Sequence, residues 1–199
     1  ALGDEGAEVA SNCKNAIPSV ILSIGKELYN KKDFDGAVAK MNEAAAAAKE
    51  YGNEEVVAEV ADLLPQVAIT RSMEKANAAF KAKDIAGAVA GYTEVMAADT
   101  ANGVAALRLG KLLSGKGKFD EAVKYLEVAA RNGQEANAKS LLSTTYLKDA
   151  ASKLKGGKYA DAVALAVKAN DFKENAQAFL IAGQASQKAN KNTDAISYF

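Results

Sequence analysis

The chain has 199 residues, 49% of them hydrophobic, which excludes wholesale disorder and suffices for one large domain or an open array of small units. Its 25 basic and 25 acidic residues cancel, so the sequence lacks the electrostatic footprint of a dedicated nucleic-acid binder or of a polybasic membrane surface. Histidine and tryptophan are absent, which excludes imidazole base catalysis, histidine-based triads and the commonest metal ligand together.

In chain order, residues 4–16 read as a leading helix without a partner, and residue 1 is Ala, which leaves open whether a leader was removed. The compartment, cytoplasmic or exported, stays undetermined. Cys13 is the single cysteine, so no internal disulfide forms, and it reads as a small buried residue. No apolar run reaches the roughly 18 residues that span a bilayer. Ile17-Pro18 then opens the first of a series of helical hairpins, with Pro18 kinking the helix or restarting it as a first-turn residue.

The hairpins announce themselves by a recurring turn, an aromatic or branched residue, an acidic or small pair, and then Ala-Val or Ala-Ile. It stands at Lys32-Asp33-Phe34-Asp35-Gly36-Ala37-Val38, Lys83 to Val89, Gly117 to Val123, Gly157 to Val163 and Asn190 to Ile196. The shared alanines 37, 88, 122, 162 and 195 are 51, 34, 40 and 33 residues apart. The two stretched intervals hold unbroken helical periodicity over 54–81, with Pro65 inside, and over 135–155, so they are lengthened first helices and not inserted loops. The expected organisation is a leading helix at 1–16 and hairpins at 17–51, 52–100, 101–133, 134–171 and 172–199, with both ends reading as cut from something longer.

A tiny residue, Gly25, Ala76, Gly110, Ala150 or Gly183, precedes each shared alanine by 12 positions, which predicts close backbone approach where the two helices of a hairpin cross. Around Gly110 and Ala122, the side chains of Leu109, Leu113, Phe119, Leu126 and Ala129 fill the crossing. Gly117, Gly157 and Asn190 supply the left-handed turn, and Asp35, Asp120 and Asp161 fall in the first turn of the helix that follows.

Leu109-Gly110, Leu113, Gly117-Lys118-Phe119, Glu121-Ala122, Leu126 and Ala129 resemble the tetratricopeptide repeat signature, and the resemblance extends over residues 17–199. It departs from the family where a large first aromatic is replaced by Ile21, Ser72 and Ala106 and where the closing proline is absent. The stretch from Ala122 to Leu142 is also similar to the related Sel1-like repeat. Either resemblance implies an all-α, right-handed superhelix of about five stacked hairpins whose first helices line a concave groove.

Carried over position by position, the resemblance selects Leu22, Lys26, Tyr29, Asn30, Met73, Asn77, Phe80, Lys81, Leu107, Lys111, Leu147 and Lys155 as principal groove residues. The lysines at groove positions, Lys188 included, meet no carboxylate within the set, so the groove is expected to be basic and half apolar. The expected function is a protein–protein interaction scaffold that takes apolar and acidic segments of a protein or peptide, without cofactor, metal, nucleic acid or membrane insertion. The alternative is a structural assembly element that stacks through exposed solenoid ends, as in a homodimer.

Three other readings fail on their own residues. Gly110 to Lys116 fits the opening of a phosphate-binding loop, but Gly117 stands where Ser or Thr is needed and the segment is helix-periodic where a strand should precede. Asp33-Phe34-Asp35-Gly36 hints at a calcium loop but lacks the remaining oxygen ligands. Lys75-Ala76-Asn77 is similar to the opening of the carboxylate clamp with which some family members hold an acidic chaperone tail. The carried-over clamp positions, Met73, Asn77, Arg108, Thr144 and Lys148, lose too many basic groups for that role. No nucleophile with a partnered base can be assembled, so the chain does not read as an enzyme.

Overall fold

The computed structural model describes residues 4–199. Among the described residues every regular element is helical: α1 Asp4–Asn30, α2 Phe34–Tyr51, α3 Glu54–Lys81, α4 Ile85–Ala98, α5 Gly103–Gly115, α6 Phe119–Arg131, α7 Glu135–Lys155, α8 Tyr159–Phe172, α9 Ala176–Lys188 and α10 Asn192–Tyr198. Among the described residues the fold is therefore all-α and built of successive helical hairpins. The lengthened helices expected over 54–81 and 135–155 are α3, of 28 residues, and α7, of 21. The leading segment is not a separate rod but runs into the first hairpin as α1. Pro18 and Pro65 lie inside α1 and α3, and both helices continue past them. The Cys13 side chain, read as buried, lies outside the described residues.

The turns between paired helices have one backbone solution. Five residues before each shared alanine, Lys32, Lys83, Gly117, Gly157 and Asn190 all have φ between 58 and 75°. Only glycine takes this left-handed region without steric cost. The first two hairpins thus tolerate a lysine where the next two use glycine. They also carry a cap that the others lack: Asp33 and Asp84 accept hydrogen bonds from Gly36 N at 3.0 Å and Gly87 N at 2.9 Å, which satisfies an otherwise orphaned donor of the following helix. The Asp33 that hinted at a calcium loop is this helix cap.

The chain divides into two compact units, one ending at Glu74 and the other spanning Lys75–Phe199. In unit 1, Leu22 of α1, Met41, Ala44 and Ala48 of α2, and Val56, Val60 and Val67 of α3 form one core. In unit 2, Leu126, Leu142, Tyr146, Ala166, Ala169 and Ile181 draw α6 to α9 into another. Burial of each large side chain contributes roughly 1.5–3 kcal/mol, so these clusters outweigh the half-kilocalorie differences in helix propensity among the residues concerned.

The small residues meet as their spacing predicts. A Cβ added at Gly110 would lie 2.7 Å from Leu126 Cγ and 3.1 Å from the Ala122 carbonyl oxygen, and one at Gly25 would lie 3.1 Å from Met41 Cγ and 3.4 Å from the Ala37 carbonyl oxygen. All five shared alanines are buried. In the fifth hairpin the space beside Gly183 is taken by the Phe199 ring.

Candidate functional site

Unit 2 contains a hollow of about 460 Å³ bounded by the end of α3, by α4 and α5, and by the start of α7. Helix α5 contributes the largest share of the lining because Leu107, Arg108, Lys111 and Leu112 recur at helical spacing on one face of it. Phe80 of α3 and Leu141 of α7 give it apolar walls, while Arg108 and Lys111 supply positive charge and Asn137 and Ser140 supply neutral polar groups. The lining includes no carboxylate.

Arg108 is held in place by a small polar network. Its Nη1 donates to Asn77 Oδ1 at 2.9 Å and approaches the Tyr92 hydroxyl at 3.3 Å, while the Tyr92 hydroxyl donates to the same Asn77 oxygen at 2.8 Å. The guanidinium carbon stands 5.9 Å from the Tyr92 ring centroid, within cation–π range. Tyr92 is fully buried, so the network anchors an exposed cation to the packed interior. Among the described residues neither Arg108 nor Lys111 enters an ion pair. Neutral partners fix the position of the guanidinium without cancelling its charge.

Of the groove residues expected from sequence, Phe80, Leu107 and Lys111 line this hollow, and Asn77 stands behind it as the acceptor for Arg108. Leu147 packs into the unit 2 core beneath the surface, whereas Lys81 and Lys155 are exposed in the last turns of α3 and α7. In unit 1, Leu22 belongs to the core and Met73 is half-buried. Lys26 is ion-paired with Glu59 at 2.6 Å, and the Tyr29 hydroxyl bonds Thr70 at 3.0 Å while its ring meets Phe34 edge-on. Asn30 is exposed at the end of α1. The Lys26–Glu59 pair brings a carboxylate into unit 1 from a residue that the carried-over positions did not select.

Sequence reasoning did not place Tyr92 at the site and met Arg108 only as a clamp position. A buried tyrosine one helix away from an arginine gives no periodic signal, since the two meet only when α4 and α5 pack. The segment that resembled a phosphate-binding loop forms the last turns of α5 and its C-cap Lys116, with its backbone donors committed to the helix.

Residues 79–144 match the family model described as "Tetratricopeptide repeat", a segment that contains every residue lining the hollow. The resemblance first seen between Leu109 and Ala129 therefore holds over the end of α3, α4 to α6 and the start of α7. Among solved structures, the chain is similar to MamA, residues 41 to the end, from Desulfovibrio magneticus RS-1, with 17% identity and a TM-score of 0.43 over 92% of this chain and 90% of that one. It is also similar to PilW, described as a widely conserved type IV pilus biogenesis factor, with 17% identity and a TM-score of 0.40 over 92% of this chain and 90% of that one. No curated protein matches the chain.

Proposed function

We propose that this protein is a non-catalytic interaction scaffold, and that the hollow of unit 2 receives an apolar side chain of a partner polypeptide lying beside an acidic one. The observation that carries this reading is the coexistence of an apolar basin, Phe80, Leu107 and Leu141, with two cations, Arg108 and Lys111, that have no counter-charge among the described residues. Such a surface rewards an amphipathic segment twice: apolar contact contributes affinity and the charges steer and orient. A volume of about 460 Å³ is ample for one large side chain with part of its neighbours. Among the described residues no helix is long and apolar enough to cross a membrane.

Selection of a random dodecapeptide phage library on the 199-residue chain tests the proposal. Enriched peptides are expected to pair Asp or Glu with a large apolar residue, and to bind the double variant Arg108→Glu/Lys111→Glu at least tenfold more weakly in fluorescence anisotropy. Enriched peptides that lack acids, or affinity unchanged by the double charge reversal, would overturn it.

A further inference from the structure

The dipeptide Asn-Gly occurs twice in the chain, as Asn102-Gly103 just before α5 and as Asn132-Gly133 just after α6. Asparagine is chemically vulnerable before glycine, because a residue without Cβ lets its backbone nitrogen approach the asparagine side-chain carbon. The two pairs close the third hairpin at its two chain ends and pack on each other: a Cβ placed on buried Gly103 would collide with the Asn132 carbonyl oxygen. They hold their side-chain amides differently.

Asn102 caps α5. Its Oδ1 accepts from Ala105 N at 3.0 Å, its Nδ2 donates to Asp99 Oδ2 at 3.1 Å, and its main-chain carbonyl accepts from Ala106 N at 2.9 Å. Both ends of the amide are therefore held, and so is the peptide group that would have to turn toward it. Asn132 instead stands one residue past the end of α6, and both it and Gly133 are exposed. Its side chain donates from Nδ2 to the Val128 carbonyl oxygen at 2.8 Å and has no second partner among the described residues. The Gly133 N–H enters no hydrogen bond among the described residues, and Gly133 has φ 77°, in a turn conformation that glycine adopts without steric cost.

We propose that Asn132 is a site of spontaneous deamidation and isomerisation in the folded protein, and that the cap around Asn102 protects its twin. The Gly133 nitrogen gives up its proton to solvent base and attacks Asn132 Cγ, ammonia departs, and a five-membered succinimide closes. Water then opens the ring at either carbonyl, so that one water is consumed for each ammonia released. Opening at Cγ leaves aspartate, which can no longer donate to Val128 and sets a negative charge at the C-terminal end of α6, where the helix dipole opposes it. Opening at the main-chain carbonyl leaves isoaspartate, in which the chain runs through Cγ and the former carbonyl becomes a free carboxylate. That carbonyl is the group packed on Gly103, so the new charge falls against the buried start of α5, the helix that carries Arg108 and Lys111. The site is independent of the hollow proposed above for a partner.

The full chain, folded and in concentrated urea, is incubated in mildly alkaline buffer at body temperature and mapped by mass spectrometry after tryptic cleavage. Cleavage after Arg131 and Lys139 isolates Asn132 on a peptide separate from that of Asn102, and fragment ions distinguish it from Asn137. Each conversion adds about 1 Da. In urea the two Asn-Gly sites should convert at similar rates, whereas in the folded chain Asn132 should convert at least tenfold faster than Asn102. Gly133→Ala, whose methyl meets nothing within 4 Å, should slow conversion at Asn132 at least tenfold. A folded chain in which Asn132 converts no faster than Asn102, while both convert in urea, overturns the proposal. The isoaspartate form, separated by ion exchange, should unfold at lower urea than both the parent and Asn132→Asp, because it alone sets a carboxylate against Gly103. Equal midpoints for that form and Asn132→Asp would overturn the consequence assigned to the Gly103 contact.

Discussion

Gly110 and Leu126 occupy one point in space on two helices: the hydrogen of the glycine leaves room for the leucine branch, whose Cγ would stand 2.7 Å from any Cβ placed there. The contact joins the two helices of the third hairpin and lies within the segment that matches the tetratricopeptide model, residues 79–144. It is the clearest case of a steric requirement that the sequence declares by a small residue at a fixed spacing.

Gly110→Ala is therefore expected to destabilise unit 2 by about 1–3 kcal/mol through overpacking, and Leu126→Ala by about 2–5 kcal/mol through the cavity it leaves. The double variant should cost less than the sum, because each change makes room for the other. Urea denaturation midpoints of the four proteins check this, and strict additivity would contradict the contact.

The left-handed turn residues give a prediction of opposite sign. Lys83 has φ 62° in an exposed turn where Gly117 has φ 75°. Lys83→Gly relieves the left-handed cost, offset in part by the greater freedom of glycine in the unfolded chain, and should stabilise by about 0.5–1 kcal/mol. Gly117→Ala should destabilise by a similar amount, with nothing within 4 Å of the new methyl to blame. Thermal melts of both variants read the pair of signs.

The network behind the hollow should respond asymmetrically. Tyr92→Phe removes one donor and leaves Asn77 Oδ1 bonded to Arg108, for a loss of about 0.5–1.5 kcal/mol. Asn77→Ala instead removes the acceptor shared by both donors and leaves the buried Tyr92 O–H without its acceptor, for about 1–3 kcal/mol. A double-mutant cycle on chemical denaturation should show coupling between the two, and equal losses for both single variants would contradict the shared acceptor.

Asp149, in the second half of α7, lines a hollow with Gly117 to Glu121 of the α5–α6 turn, and its side chain is 13% exposed. Burial raises its pKa above the ordinary aspartate value, and Asp120 and Asp161 push it the same way while Lys153 opposes them. A carboxyl with a raised folded-state pKa favours folding while protonated, so its contribution is fully present below the unfolded value, near pH 4, and is lost as pH rises through the folded value. Asp149→Asn should consequently raise the denaturation midpoint near neutral pH and lose that advantage in acid. A benefit that is the same at both pH values would assign it to something other than ionisation.

The sequence by itself determined the helical hairpins, because helix periodicity, the turn motif and small-residue spacing are local patterns whose cause lies within one or two helices. Ala37, Ala88, Ala122, Ala162 and Ala195 all fall in buried contacts, and α3 and α7 have the limits that unbroken periodicity gave them. Left-handed backbone at Lys32 and Lys83 was not legible, since lysine carries no mark of it and the conformation is imposed by closing the turn between packed helices. The candidate site was legible only as a set of positions. Phe80, Leu107 and Lys111 converge and Leu22 sinks into the core because which turn of a helix faces outward depends on how its neighbours pack, and that is a tertiary matter. Whether a lysine keeps its charge available was settled in the same way: Lys26 meets Glu59, 33 residues further along the chain, while no carboxylate lines the hollow at Lys111.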